Sequence, residues 1–398
     1  MRERTGKILY ADWDCFGGTD IKQAFAEEGC ALVPFSFDKT KPHKNEELTA
    51  KLKALTEEEQ PDFLFSFNYF PVLSGFCQQA GLPYFSWVYD SPYVLLYSST
   101  LINPCNHVFL FDKEEYEIFR RNRIPTVRYL PLAADPKRLE QAVKAFPENG
   151  EAAPEVSFVG SMYTEDHNFY DRLSSLSPRA RGYLEGLMEA QLHLFGANII
   201  SQVLPEWVME EMRKDLPMQP NPDGVESLSY LFSEYVINRK LTSIERKRTL
   251  EYIADHTELS APLALYTPDA SYGHPGIENR GCVNYLTEMP RVFARSKINL
   301  NISLRSIHTG IPLRCFDILG AGGFLITNYQ ADLPDCFTPG EDLVIYTDMR
   351  ELPDLISYYL THEEERRQIA ENGKKKLENA HTYRHRIQSM MREFENAD

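Results

Sequence analysis

The sequence predicts an α/β protein made of two doubly wound parallel-sheet domains. Three observations carry this. Short, continuously apolar runs alternate with helix-like stretches through the first 150 residues. A Glu-, Ala- and Pro-rich segment at 148–154 reads as a linker. A second strand series opens at Glu155-Val156-Ser157-Phe158-Val159-Gly160 and resumes beyond residue 260. Alternating strand and helix units imply a doubly wound sheet. Runs that are apolar on both faces imply a sheet covered on both sides.

In the first series the strand runs are 7–13, 31–37, 62–68, 83–89, 107–111 and 127–132, and Phe63-Leu64-Phe65-Ser66-Phe67 is nearly unbroken in its apolarity. Between them 19–28, 45–58 and 113–121 read as helices, the first with apolar residues at Ile21, Ala24, Phe25 and Ala26 and with Thr19 placed as its N-cap. In the second series, residues 165–258 are charged and helix-like with few strand signals. A stretch of roughly 90 residues far exceeds an ordinary βα loop, so it reads as a helical insertion. Strands resume at 263–266, 297–302, 323–327 and 342–346, and helices follow at 349–360 and 363–379, with Thr361 and Glu364 spaced as a capping box. The domains are therefore 1–150, 155–375 with the insertion, and a last helix from 376 to 398.

The 398 residues carry 42 Lys and Arg against 58 Asp and Glu, a formal charge of −16. That acidic balance argues against nucleic acid, which needs a basic footprint, and against docking on an anionic membrane. No run approaches the ~18 apolar residues of a membrane-spanning helix. The first residues lack the apolar core of a signal peptide, so a cytoplasmic location is expected. Seven cysteines without a C-x-x-C pair read as reduced thiols rather than a zinc site, and Cys282 and Cys315 are expected in the core. The ten histidines show no metal-ligand spacing, and His381 is expected to pack the C-terminal helix. No bound metal or cofactor is expected.

The most informative segment runs from the strand Ile298-Asn299-Leu300-Asn301-Ile302-Ser303 through Leu304-Arg305-Ser306-Ile307-His308-Thr309-Gly310-Ile311-Pro312-Leu313-Arg314 to Cys315-Phe316-Asp317-Ile318-Leu319-Gly320-Ala321-Gly322-Gly323. A loop feeding a helix N-terminus offers free N–H groups and a positive dipole end to a diphosphate. Arg314 adds a bidentate phosphate donor, and Asp317, one turn on, can accept from a ribose diol. The plain alternative is a βα unit with a surface Arg–Asp pair at i, i+3.

This segment resembles the C-terminal half of GT-B glycosyltransferases, specifically the CgeB-like spore-maturation family with its group 1-type C-terminal domain. The similarity continues through Asp332 to Phe337, Gly340-Glu341-Asp342, Val344-Ile345-Tyr346, Glu365-Arg366-Arg367, Gly373 and His381-Thr382-Tyr383-Arg384, covering most of 280–386. More loosely, Trp87-Val88-Tyr89-Asp90-Ser91-Pro92 and Phe111-Asp112-Lys113 resemble the domain often fused to it. The resemblance implies two Rossmann-like domains facing a cleft, with the last helix crossing back onto the first. It implies a metal-independent transfer of a sugar from a nucleotide-diphosphate donor, a UDP-sugar first, to a saccharide, peptide or small-molecule acceptor. Many relatives carry two glutamates eight positions apart. The second falls on Asp317 and the first on Thr309, so His308 and Thr309 are expected to contact the sugar instead. Gly160 and Ser161 would approach the diphosphate, Tyr285 the nucleobase, and Ser306 and Gly310 complete the donor loop. Retention is favoured over inversion by analogy alone.

On the acceptor side, Asp14, Gly17 and Gly18 lie after the first strand, and Asp90 stands at the end of a central strand. Asp90 and His308 are the candidate catalytic residues, since a transferase that inverts needs a base within reach of the acceptor. Asp12-Trp13-Asp14 spells a metal-binding D-x-D but in the wrong fold context. Two other readings remain open: a sugar-nucleotide epimerase or phosphorylase on the same fold, and a non-catalytic binding or spore-coat-type scaffold.

Overall fold

Residues 6–145, 152–164 and 168–395 are described by the computed structural model. The two strand series become two separate six-stranded sheets. One unit holds the chain up to Ala134, Pro220–Glu226 and the segment from Thr382; the other holds Asp135–Gln219 and Ser227–His381.

In the first unit the strands are β1 (Lys7–Ala11), β2 (Ala31–Phe35), β3 (Phe63–Phe67), β4 (Tyr84–Val88), β5 (Asn106–Leu110) and β6 (Val127–Tyr129), in the order β2-β1-β3-β4-β5-β6. Every pair is parallel. All five residues of β3 and of β4 are buried, which is why their sequences are continuously apolar. The sequence runs overshoot most strands at the carboxyl end, because the chain leaves the ladder to form loops there. At the end of β3, Asn68 takes a left-handed φ of 58°, a conformation that Asn tolerates better than most residues.

The helix Gly18–Glu27 is not capped by Thr19. Its N-cap is Gly17, at φ 75°, with no side-chain cap. A Cβ on Gly17 would lie 2.2 Å from the Tyr383 hydroxyl, so both the backbone and the space demand glycine. The helix Tyr383–Glu395 belongs to this unit and packs on Gly18–Glu27, with Arg384 paired to Glu28 at 2.5 Å.

On β5, His107 stacks on Phe85 with ring centroids 4.5 Å apart. Burial, and then the charge of Arg128, push its pKa down to about 4, with Glu393 opposing. A histidine whose folded pKa is depressed binds fewer protons than in the unfolded chain, so stability is retained above the unfolded value and lost as pH falls toward 4. The melting temperature is expected to drop more steeply between pH 7 and 5 in the native chain than in His107→Phe, which keeps the stacking. Parallel melting curves of the two would contradict this.

In the second unit the strands are β7 (Val156–Val159), β8 (Leu263–Tyr266), β9 (Ile277–Asn279), β10 (Ile298–Asn301), β11 (Leu325–Asn328) and β12 (Val344–Tyr346), ordered β12-β11-β10-β7-β8-β9. These pairs are also parallel. β9 is a three-residue edge strand, too short for a periodicity signal. The helical insertion has its own core, in which Leu184, Ile200, Val208, Phe232, Val236 and Leu241 are buried together. Its residues Pro220–Glu226 belong to the first unit, where Gly224 bridges Ser98. The helix Asn238–His256 then leads to β8.

The units divide at Ala134 and Asp135, earlier than the linker read from composition, of which 148–151 lie outside the described residues. The cause is the helix Pro136–Ala145, which packs on Met289–Arg295, Leu313–Gly320 and Glu363–Ala380. The last stretch is not one helix from 376: Glu363–Ala380 ends first and Tyr383–Glu395 starts afresh. The expected capping box is not formed, because the Thr361 hydroxyl donates back to Ser357 and Tyr358 carbonyls. His381 closes the helix Glu363–Ala380 rather than packing the last one, with its ring against Phe316 and Phe337. Cys282 is exposed, contrary to expectation, while Cys315 is buried and its thiol is pushed up to about 12; all seven cysteines are free. No helix among the described residues is long and apolar enough to cross a membrane.

Each sheet has one point where the connections diverge. β1 leads outward to β2 while its neighbour β3 leads the other way to β4. Likewise β7 leads to β8 while its neighbour β10 leads to β11. Ligands of doubly wound proteins bind at the carboxyl ends of such strand pairs.

Candidate functional site

At the β7/β10 divergence, one side chain spans both loops. Arg246, on the helix Asn238–His256, is 8 % exposed. Its Nε and Nη2 donate to the Ile302 carbonyl beyond β10 (3.1 and 2.6 Å), and its Nη1 donates to the Ser161 carbonyl beyond β7 (2.5 Å). The guanidinium lies 5.2 Å from the Phe158 ring and 5.0 Å from the Tyr163 ring. Its pKa is lowered by burial, with Arg314 adding to the shift while Tyr163 and Glu245 oppose it. An arginine nonetheless stays charged. Gly160 allows the close approach: a Cβ there would stand 3.3 Å from Arg246 Nη1 and 3.2 Å from the Phe158 ring. Ser161 Oγ accepts from the Tyr163 N–H at 2.8 Å, which shapes the turn.

Arg314 and Asp317 sit in the first turns of the helix Leu313–Gly320. They do not form the plain i, i+3 surface pair. Asp317 is 2 % exposed and accepts from the Tyr285 hydroxyl at 3.3 Å. The Tyr285 ring in turn faces the Arg138 guanidinium at 5.4 Å. Arg314 rests on Met289 Sδ and over the Phe293 ring at 5.5 Å. It is half-buried, and among the described residues no carboxylate pairs with it. A guanidinium held by a thioether and a ring keeps its charge for an incoming anion.

The loop between β10 and this helix is fixed at several points. Asn328 Oδ1 accepts from the Ser303 N–H at 2.8 Å, and Asn301 donates to Ser303 Oγ. Arg305 makes a two-pronged pair with Glu245, both contacts at 2.7 Å, and donates to the Leu194 carbonyl. Ser306 is buried, Gly310 is buried, and the Thr309 carbonyl accepts from the Asp332 N–H at 3.0 Å. His308 Nε2 faces Glu234 Oε2 of the insertion at 3.4 Å. His308 also lines a polar cavity of about 20 Å³, room for about one water molecule.

In the first unit, Asn68 joins the loops after β3 and β4. Its Nδ2 donates to Asp90 Oδ2 at 2.7 Å and its Oδ1 accepts from the Tyr89 N–H at 3.1 Å. Asp90 itself is exposed and so presents an oriented carboxylate. Trp13 stacks on Tyr89 at 6.2 Å, and Lys39 Nζ lies 4.1 Å from the Trp13 ring centroid. Asp14 is exposed, whereas Asp12 is paired through both oxygens with Lys22 at 3.1 Å. Gly17 and Gly18 are buried, Gly17 beneath Tyr383, so they shape the turn more than they offer a surface.

The structure thus gathers Gly160, Ser161, Tyr285, Ser306, His308, Thr309, Gly310, Arg314 and Asp317 onto the carboxyl-end side of one sheet, and Asp14, Gly17, Gly18 and Asp90 onto that of the other. Sequence reading missed Arg246, Glu234, Arg305 and Glu245. The signal was spacing: Asn238, Leu241, Thr242, Glu245, Arg246, Thr249, Leu250 and Ile253 are all buried, at helical intervals. Because most are polar, that buried face leaves no hydrophobic pattern.

Residues 243–392 match the family described as glycosyl transferase-like. Arg246, Arg305, Arg314 and Asp317 all fall inside that match. No curated protein sequence matches the chain. Among solved structures, a UDP-forming trehalose-phosphate synthase from Burkholderia xenovorans superposes with a TM-score of 0.55 at 10 % identity, covering 98 % of this chain and 99 % of its own. Sucrose-phosphate synthase from Thermosynechococcus elongatus gives 0.51 at 11 % identity, over 99 % and 100 %. The Anabaena protein HepE, solved in complex with UDP, gives 0.51 at 10 % identity, over 98 % and 100 %. At such identities these likenesses establish the fold, which is GT-B.

Proposed function

We propose that this protein is a glycosyltransferase that takes a sugar from a nucleotide-diphosphate donor, bound by the second unit, and passes it to an acceptor held by the first. The observation that carries the reading is Arg314, without a carboxylate partner among the described residues, beside the buried Arg246, at the mouth of the β7/β10 loops and the start of the helix Leu313–Gly320. Two guanidinium groups and helix-terminal N–H groups form a site for a diphosphate. In the reaction Arg314 and the loop amides would neutralise the charge that develops on the leaving diphosphate, with no metal required.

Asp317 would hold the ribose, and Tyr285, which donates to it, would fix its orientation and border the base. His308 and Thr309 would meet the donor sugar. Asp90, aimed by Asn68, would bind the acceptor or take its proton. UDP is the first candidate nucleotide, since a structural neighbour was solved with it. We place the protein in the CgeB-like branch on the residues of 280–386, favour retention, and place it in the cytoplasm, which the seven free cysteines support.

The test is nucleotide release. UDP-glucose and other nucleotide sugars are incubated with the protein and a panel of sugar, peptide and small-molecule acceptors. A transferase releases the nucleotide faster with one acceptor than with none, and Arg314→Ala abolishes the difference. Release unaffected by any acceptor, or conversion of the donor sugar without release, would reject this reading.

A further inference from the structure

The insertion brings a buried carboxylate to the donor loop. Glu234 is 4 % exposed. Its contacts are His308 Nε2 at 3.4 Å and Asn238 Nδ2, which donates to it at 2.8 Å. Among the described residues no Lys or Arg pairs with it. A buried carboxylate held by one amide and one imidazole draws its remaining compensation from the imidazole.

The backbone is unusual at this point. Residues Phe232–Ile237 form a π-helical segment leading into the helix Asn238–His256. Such wide turns re-aim side chains and are frequent at functional sites. Here Phe232, Ser233, Glu234, Val236 and Ile237 are all buried, so the wide turn carries Glu234 inward along with the apolar residues. The pair is also tied to the loop. Asn198 Nδ2 reaches both Asn238 Oδ1 (3.2 Å) and the Arg305 carbonyl (3.3 Å), tying the partner of Glu234 to the loop that carries His308. Arg305 fastens the same loop to Glu245, eleven residues after Glu234 on the same run of helix.

We propose that Glu234 is the positioning residue for His308, reaching from the insertion to hold its ring. A carboxylate only accepts, so in the neutral ring Nε2 carries the hydrogen toward Glu234. The negative charge of Glu234 also favours the imidazolium form. The other charged or titratable groups around the loop are Arg305, neutralised by Glu245, Tyr329 beyond β11, and Asp332, which holds Thr309. The sugar-contacting role of His308 rests on the function proposed above, whereas the hold of Glu234 on the ring does not.

The experiment is imidazole ¹⁵N NMR of histidine-labelled protein, with His308 assigned through His308→Gln. In the native chain the neutral ring is expected as the Nε2–H tautomer. In Glu234→Gln, whose amide can donate or accept, that preference is lost and the titration midpoint falls by about one pH unit. Unchanged tautomer and midpoint would overturn the proposal. Glu234→Asp keeps the charge one methylene further back. It is expected to fall between the two, and it provides the reading if Glu234→Gln does not fold. In parallel, UDP release from UDP-glucose is followed. Glu234→Gln is expected to lower kcat at least tenfold, with KM within about threefold and partial rescue by Glu234→Asp. A larger effect on KM than on kcat would overturn the positioning role. If the native chain releases no UDP and binds none, the donor reading falls, while the NMR result still decides whether Glu234 sets the state of His308.

Discussion

Arg246→Ala is expected to lower the melting temperature by about 10 °C or more. The side chain is 8 % exposed and holds the Ile302 and Ser161 carbonyls. Each buried acceptor left without its donor costs about 1–3 kcal/mol, and Arg246 serves two of them. For a domain of this size, each kcal/mol moves the midpoint by about 2–4 °C. Arg246→Lys should be intermediate, because one ammonium cannot span both carbonyls in the planar fork that arginine offers. Arg246→Met, which keeps most of the volume, separates packing from hydrogen bonding. It should melt close to the alanine variant, since the lost donors dominate. Differential scanning calorimetry of the three variants checks the order. A melting point for Arg246→Ala within 2 °C of the native chain would show that the clamp contributes little.

Arg314→Ala and Asp317→Asn are expected to weaken UDP binding by about ten- to a hundredfold each, with much smaller effects on stability for Arg314. A hydrogen bond to a charged group contributes about 1.5–3 kcal/mol, and 1.4 kcal/mol is tenfold in affinity. Arg314 has no carboxylate partner among the described residues, so its removal leaves no buried charge behind. Asp317 differs, being buried and bonded to Tyr285. Its amide variant preserves the shape but gives up the charged acceptor that a ribose diol uses. Tyr285→Phe, which deletes only the hydroxyl, should cost severalfold. Titration calorimetry with UDP measures all three. Native-like affinity in Arg314→Ala would remove the diphosphate from this loop.

The sheets were legible because their strands are buried on both faces and therefore spell uninterrupted apolar runs, as Phe63 to Phe67 do. The candidate loop from Ser306 to Arg314 stood out for a different reason. Gly310, Arg314 and Asp317 lie in one contiguous stretch running from a strand into a helix. Arg246 and Glu234 were not legible. They come from a helical region whose buried face is largely polar, so its charges look like a solvated surface in sequence. What brings them to the candidate site is contact with Ile302, Ser161 and His308, between 56 and 85 residues away in the chain. Local rules failed in smaller ways too. Thr361 had the right spacing for a capping box, but its hydroxyl returns to the preceding helix. Cys282 had apolar neighbours in sequence, yet the turn around Gly281, at φ 75°, leaves it exposed.

Hydrogen–deuterium exchange of the native chain, with and without millimolar UDP, tests the placement of the donor most directly. Binding at the β7/β10 loops would engage backbone amides of Gly160, Ser161 and the residues from Ser306 to Arg314. These segments are expected to slow their exchange in UDP, together with the turn around Tyr285, while the sheet of the first unit stays unchanged. UDP that protects nothing in these loops, or protects only the first unit, would contradict a donor site on the second.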